Sequence, residues 1–483
     1  MTPPDRHRTR YQHLTDTLSE RMDDGVYQAG QRLPGVRRLA REFSVSVSTV
    51  LRAMEQLESF GRVEARPRSG YYVRASRKRS LPAPQADITP SPQAIDGQDR
   101  VLQLLRGGQS EGMLSLAAAM PDAQQLPLRL VNKALVSAAR RRGPDDALYD
   151  FPPGHAPLRQ AIARRMHLNG CPVDPADIVI TGGCQQALGL ALQSVCAPGD
   201  LVAVESPTYY GLLQVLEAHR LKALEIPSHP ETGLSLEALR MALDNWPIRA
   251  CVLVPSYSNP TGSCMPESHR QRLVSMAGSH NFTIVEDDVY GDLAHDGSRA
   301  LPVRAFDQAD RVVYCNSFSK TLAPDLRVGW VSSPRLSERL CQLQFAGQLA
   351  APGLAQRALT ELLQGGGIDR HLRRVRASYM TNISRAVHLV DQYFPAGTEV
   401  TNPAGGYVIW VRVPGLDSEA FQRRAANAGV LIAPGTLFST GRRYADCCRI
   451  NCSRPWGTDM DTAIRLLGHL AREPHHQKNE ELS

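Results

Sequence analysis

Lysine is nearly missing from this chain: of 55 basic residues only five are lysines, at positions 78, 133, 222, 320 and 478, and arginine supplies the rest. Arginine cannot replace an amine that must lose its proton, so each surviving lysine invites a question about chemistry. C-x-x-C pairs are also absent among the ten cysteines. Cys447, Cys448 and Cys452 cluster, but no histidine spacing converges on them, so no metal site is expected. No apolar run is long enough for a membrane helix, and no signal-type stretch follows the first arginines. A cytoplasmic protein with free thiols and no membrane partner is expected. No internal repeat is present. With 483 residues and 42% apolar content the chain exceeds one domain and can bury a sizeable core.

Lys320 stands out among the five lysines. Arg311-Val312-Val313-Tyr314 reads as a buried strand that delivers Ser317, Ser319 and Lys320 to a loop at its C-terminal end, with Arg327 following. Ser317, Ser319 and Arg327 make a cradle for a dianion. The bare lysine-to-arginine spacing also fits a solvated lysine beside a structural turn, and two other segments argue against that. Val252-Leu253-Val254-Pro255 runs into Ser258-Asn259-Pro260-Thr261-Gly262, and Phe282-Thr283-Ile284-Val285 runs into Glu286-Asp287-Asp288-Val289-Tyr290. Three apolar strands thus finish in polar groups, as at the carboxyl ends of a parallel sheet. An amine that can trap an aldehyde, a phosphate cradle, an aspartate for a ring nitrogen, and Asn and Tyr donors for a phenolic oxygen together match pyridoxal 5'-phosphate.

Over roughly residues 113 to 470 the chain resembles the fold-type I pyridoxal-phosphate aminotransferases. In family order come Leu148-Tyr149-Asp150-Phe151-Pro152-Pro153-Gly154 before Leu158-Arg159, then Thr181-Gly182-Gly183-Cys184-Gln185-Gln186-Ala187, Ser206-Pro207-Thr208-Tyr209, the Asn-Pro-Thr-Gly turn, the acidic strand end and the lysine run. The resemblance implies a large α/β domain with a mostly parallel sheet and a smaller C-terminal α+β subdomain. That subdomain is expected after about residue 340 and includes Gly405-Gly406-Tyr407-Val408-Ile409-Trp410. It makes Lys320 the lysine that binds the cofactor aldehyde and Asp287 the partner of the pyridinium nitrogen. Asn259 and Tyr290 resemble the donors to the ring 3-oxygen, and Tyr209 the aromatic on the ring face. Gly183, Cys184 and Gln185 open a helix whose amides would hold the phosphate with Ser317 and Arg327. Arg449 matches the arginine that clamps a substrate carboxylate, and Tyr149 the residue that reaches a neighbouring subunit's phosphate. Cys184 replaces a more usual Ser or Ala, and is expected to act mainly through its backbone. Val289, where the family often has Pro or Tyr, spaces two working residues.

The first 79 residues differ in character. They carry 16 Lys+Arg and 9 Asp+Glu, a net of +7 that equals the charge of the whole chain, which leaves the remainder neutral. One helix is expected from about Tyr11 to a turn at Gly25, with Leu14, Leu18 and Met22 on one face; a second over Val36 to Phe43; and a third over Val47 to Phe60, with Val50, Met54 and Leu57 inward. Arg62 to Val73 alternates as two short strands around a basic turn. This is the pattern of a winged helix-turn-helix. The spellings L-P-x-x-R-x-L-A, V-S-x-S-T-V and R-x-R-S-G-Y-Y-V resemble the GntR family of bacterial regulators. That resemblance implies that Arg37, Ser46, Ser48, Thr49 and Arg52 face a double-stranded DNA operator, with Arg66 and Arg68 on the wing, mostly toward phosphate. Val47 and Leu51 stand where family members often carry arginine. A basic three-helix packing domain is the competing reading.

Four segments follow: a winged helix-turn-helix at 6–76, a basic Pro-rich linker at 77–112, the aminotransferase-like domain at 113–472 and a disordered tail at 473–483 that holds His475 and His476. A short amphipathic helix is expected near Val101 to Leu105. A winged helix joined to such a domain resembles the MocR subgroup of GntR regulators. The implied protein is a head-to-tail homodimeric transcription factor that senses an amino acid, an amine or the cofactor through transaldimination at Lys320. An active aminotransferase with an accessory DNA-binding segment is the alternative, and a scaffold used only for dimerisation is a weaker third.

Overall fold

The computed structural model describes residues 10–23, 26–28, 30–60, 62–66, 69–74, 91–93, 95, 99–108, 110–441 and 443–472. Near the N-terminus lie three helices, α1 (Arg10–Asp23), α2 (Val36–Glu42) and α3 (Val47–Ser59), and a hairpin of β1 (Val63–Arg66) and β2 (Gly70–Val73). Leu14 and Leu18 of α1, Leu39 of α2, and Val50, Met54 and Leu57 of α3 are buried against Val63 and Val73 of the hairpin. The helical spacing of those apolar residues is what makes them one core. Ser46 starts α3 because its Oγ accepts from the Thr49 amide at 3.1 Å. The elements expected from sequence are therefore present; the turn at Gly25, the wing residue Arg68 and the tail at 473–483 lie outside the described residues. Arg74, just after β2, donates to His388 Nε2 at 2.5 Å and ties this domain to the large one.

The described part of the linker, beyond residue 90, is docked on the large domain. Gln93 exchanges two backbone hydrogen bonds with Ala223, at 2.9 and 3.1 Å. Ile95 enters the main core, and α4 (Asp99–Gly107), the amphipathic helix expected there, buries Val101. The chain then forms β3 (Leu114–Ser115).

After α5 (Leu128–Arg141) and α6 (Ala156–Leu168), strands and helices alternate: β4 (Ile178–Thr181), α7 (Cys184–Val195), β5 (Leu201–Ser206), α8 (Tyr210–Ala218), β6 (Lys222–His229), β7 (Gly233–Leu234), α9 (Leu236–Asn245), β8 (Ile248–Leu253), α10 (Glu267–His280), β9 (Thr283–Asp287), β10 (Val312–Ser317) and β11 (Gly329–Ser332). They build one sheet in the order β4-β11-β10-β9-β8-β5-β6-β7. Neighbours from β10 through β6 run parallel, while β11 and β7 are antiparallel to theirs. Near-continuous Val, Ile and Leu in these strands is what a sheet covered on both faces requires.

The small subdomain begins later than expected. Helices α11 (Ser337–Gln348) and α12 (Gly353–Gln364) and the first part of α13 (Gly367–Tyr393), as far as Tyr379, pack into the large core. Its own core starts at Ile383 and also takes in Leu116 from upstream. The remaining elements are β12 (Glu399–Val400), β13 (Val408–Arg412), α14 (Ser418–Asn427), β14 (Val430–Leu431), β15 (Ala433–Pro434), β16 (Cys447–Asn451) and α15 (Thr458–Leu470), with the sheet order β12-β13-β16-β15. Strand β3 pairs with β14, so the segment that leaves the linker belongs to this subdomain.

Candidate functional site

The parallel register of β8, β9 and β10 sets Leu253 beside Glu286 and Cys315 beside Asp287, so the polar groups that follow each strand meet at one edge of the sheet. There Cys184, Gln185, Tyr209, Asn259, Asp287, Tyr290, Ser317, Ser319, Lys320 and Arg327 line a single cleft. Ten residues chosen from sequence are thus brought together. Gly183 abuts them as the N-cap of α7 with φ of +110°, and a Cβ there would lie 2.5 Å from Arg327 Nη2. Only glycine lets the arginine lie across the start of this helix. Arg327 Nη2 donates to Gly182 O at 2.8 Å, and Nη1 to Ser319 Oγ at 3.4 Å. Tyr149 lies outside the cleft and is exposed.

Burial lowers the Lys320 pKa to about 8; the charge of Asp287 opposes that and Arg449 adds to it. Burial likewise raises Asp287 to about 6, against the pull of the Cys184 thiol, the Val289 amide and the Lys320 charge. Cys184 Sγ and the Val289 amide each donate to Asp287 Oδ1 at 3.3 Å. Beyond the backbone role expected for it, Cys184 as the first residue of α7 points its thiol at the Asp287 carboxylate. Val289 is more than a spacer, since its side chain lines the cleft. Burial pushes the phenols of Tyr209 and Tyr290 up, so both stay neutral.

Arg449, on β16, is fully buried. Its Nη1 donates to Asn259 Oδ1 at 2.8 Å, its Nη2 to Ala117 O, and its guanidinium lies 5.5 and 5.1 Å from the ring centres of Tyr210 and Phe438. Lys320 Nζ donates to the next-but-one carbonyl, Ala119 O, at 2.8 Å. Asn451 Nδ2 donates to Ala118 O and Met120 O at 2.6 and 2.8 Å, and Tyr407 donates to Ala119 O at 3.2 Å. Residues 117–120 therefore form a strap held across the site by its carbonyls. Sequence reasoning missed the strap, Tyr407 and Asn451. The position of Asn451, two residues after Arg449 on a strand and so on the same face, was the available signal.

These residues fit a phosphorylated pyridine. Amides at the start of α7, two serines and Arg327 supply donors and charge for a phosphate dianion. A buried carboxylate at Asp287 and the partly buried amine of Lys320 face the same cleft, as a ring nitrogen and an aldehyde require.

On the DNA-binding domain, Arg37, Ser48, Arg52 and Arg66 are exposed. Ser46 and Thr49 are engaged in capping: the Ser46 hydroxyl lies 2.8 Å from those of both Ser48 and Thr49. Arg66 stacks over Tyr72, 4.2 Å from its ring centre.

Residues 112–466 match the aminotransferase class I and II family, and residues 10–73 match the bacterial regulatory proteins of the gntR family. A kynurenine aminotransferase from Pyrococcus horikoshii, in complex with PMP, superposes with a TM-score of 0.72 at 29% identity over 77% of this chain and 94% of its own. The α-aminoadipate aminotransferase LysN from Thermus thermophilus, in complex with N-(5'-phosphopyridoxyl)-L-leucine, gives 0.71 at 30% identity over 78% and 94%. The C-terminal region is thus a fold-type I domain of the class I and II aminotransferases, and its cofactor is pyridoxal 5'-phosphate. Over 95% of this chain and 98% of its own length, the uncharacterized HTH-type transcriptional regulator YjiR of Escherichia coli K12 is 38% identical; YdcR of the same organism is 36% identical over 96% and 99%. With both domains in the same order, the chain belongs to the MocR subgroup of GntR-type transcriptional regulators.

Proposed function

We propose that the aminotransferase-like domain of this regulator senses a small amine or amino acid through transaldimination at Lys320, and that the strap at 117–120 passes the event to the DNA-binding domain. One observation carries this reading: Lys320 and Arg449, the two groups an amino acid would engage, both donate to carbonyls of that strap. In chain order the strap follows β3 and α4, which lie between it and the DNA-binding domain.

The bound cofactor supplies an electrophilic carbon and a ring that accepts electron density. Around it, Asp287 would hold the proton on the ring nitrogen, Asn259 and Tyr290 would donate to the ring oxygen, and Tyr209 and Val289 would provide apolar contact for the ring. The α7 amides with Ser317, Ser319 and Arg327 would hold the phosphate. Arg449 would offer its fork to an incoming carboxylate and give up Ala117 O, while the incoming amine would displace Lys320 and leave its Nζ free to donate to Ala119 O. The two exchanges change which donors hold the strap, one losing Ala117 O and the other regaining Ala119 O, so ligand binding and strap position are linked.

A head-to-tail homodimer on a double-stranded operator in the cytoplasm completes the reading. Tyr149, Phe151 and Phe345 form an exposed ladder of rings, with centres 5.6 and 5.9 Å apart, that suits a second copy of the chain. Tyr149 is then placed to reach the partner's phosphate. Arg37, Ser48, Arg52 and Arg66, with Arg68, would meet the duplex.

An active aminotransferase is the second reading, supported by the intact cleft and by 34% identity over 77% of the chain to a 2-aminoadipate transaminase of Thermus thermophilus. Both are tested by titrating the cofactor-loaded protein with a panel of amino acids and amines, following absorbance and assaying carbonyl product. A band that shifts and then holds supports the sensor; release of product supports the enzyme. Ligand-dependent DNA binding that survives in Lys320→Ala would sink the sensing role of the lysine.

A further inference from the structure

The exposed face of α3 is divided. Its N-terminal half presents Val47, Ser48, Leu51 and Arg52, and its C-terminal half presents Glu55 and Glu58. Val47 is 46% exposed and Leu51 41%, although the same helix buries Val50, Ala53, Met54 and Leu57 completely. Spaced four apart, Val47 and Leu51 lie one above the other and make an apolar step beside the Ser48 and Arg52 stripe. The acidic C-terminal half repels phosphate, so a duplex meets the helix at its N-terminal half, where the basic and hydroxyl side chains are.

In a major groove the base edges offer donors and acceptors, and one apolar group, the C5-methyl of thymine. Polar edges set against Val47 and Leu51 would lose water and gain no partner. We propose that Val47 and Leu51 are specificity-determining residues that read thymine methyl groups in each half of the operator. This rests on DNA binding by the GntR-type domain and adds the chemistry that it selects.

The test begins with the full-length, cofactor-loaded protein and a pool of randomised duplexes. An enriched duplex is then resynthesised with each thymine in turn replaced by deoxyuridine, which lacks only the methyl, and affinities are measured by fluorescence anisotropy. Wild type should lose about fourfold at one or two neighbouring positions per half-site, the ratio that burial of one methyl group predicts, and little elsewhere. Val47→Ala should abolish that sensitivity at one position and Leu51→Ala at another. A scan that stays within twofold everywhere overturns the proposal, as does a scan that is unchanged in both variants. The wild-type scan needs no substitution, so a variant that misfolds leaves the first outcome decisive. Failure to enrich any sequence would count against sequence-specific DNA binding itself, a result distinct from an enriched site that is indifferent to methyl groups.

Discussion

At the scale of single residues, the fold rather than the amino acid sets the reactivity. Lys320 is held near pKa 8 because burial strips its ammonium of water, even with Asp287 pulling the other way. Since the neutral amine attacks an aldehyde, apo-protein should capture pyridoxal phosphate faster as pH rises. The rate should grow roughly tenfold between about pH 7 and 9 and then level off, whereas an ordinary lysine would gain about a hundredfold with no plateau in that range. Stopped-flow absorbance distinguishes the two curves. Arg449 makes a second case. Replacing its planar fork in Arg449→Lys should weaken carboxylate-bearing ligands by roughly ten- to a hundredfold and leave simple amines unaffected. Equal loss for both classes in absorbance titrations would mean that the arginine braces the site instead of binding ligand. Lys320, Asp287 and Asn259 were legible in the sequence because each pairs a distinctive side chain with an apolar run that places it. The strap was not, because its alanines work through carbonyls, which every residue owns.

At the scale of elements, the start of α7 shows how little space the phosphate cradle leaves. Gly183 has φ of +110° and no room for a Cβ beside Arg327. Gly183→Ala should therefore cost about 1–3 kcal/mol in strain, or displace Arg327. The expected result is a lower Tm together with cofactor lost on dialysis; unchanged retention would show that the phosphate is held elsewhere. Helix α13 explains an error of boundary. Its 27 residues span about 40 Å, and its apolar spacing is continuous, so nothing in the sequence marks the point where Tyr379 packs in one core and Ile383 in the other. The amphipathic helix expected near Val101 to Leu105 was legible from its spacing, whereas the docking of Gln93 and Ile95 was not, because it rests on backbone pairing and one buried side chain.

At the scale of the whole molecule, a basic segment of net charge +7, residues 1–79, is attached to a neutral body, and in the proposed homodimer DNA binding would depend on how two such segments are spaced. The ring ladder of Tyr149, Phe151 and Phe345 decides that spacing if it is the contact between copies. Phe345 is half-exposed on α11, far in sequence from the winged helix, so a charge there leaves the DNA-binding surface intact. Phe345→Glu should shift the protein from dimer to monomer in sedimentation velocity, because a carboxylate buried against aromatic rings has no partner. Loss of the second module then removes the advantage of binding both halves of an operator at once. Affinity for the paired site should fall by about 10²–10⁴, while affinity for a single half-site stays the same. A variant that stays dimeric with full operator affinity would place the subunit contact on another face, and Tyr149 would then no longer be positioned to serve a partner's phosphate.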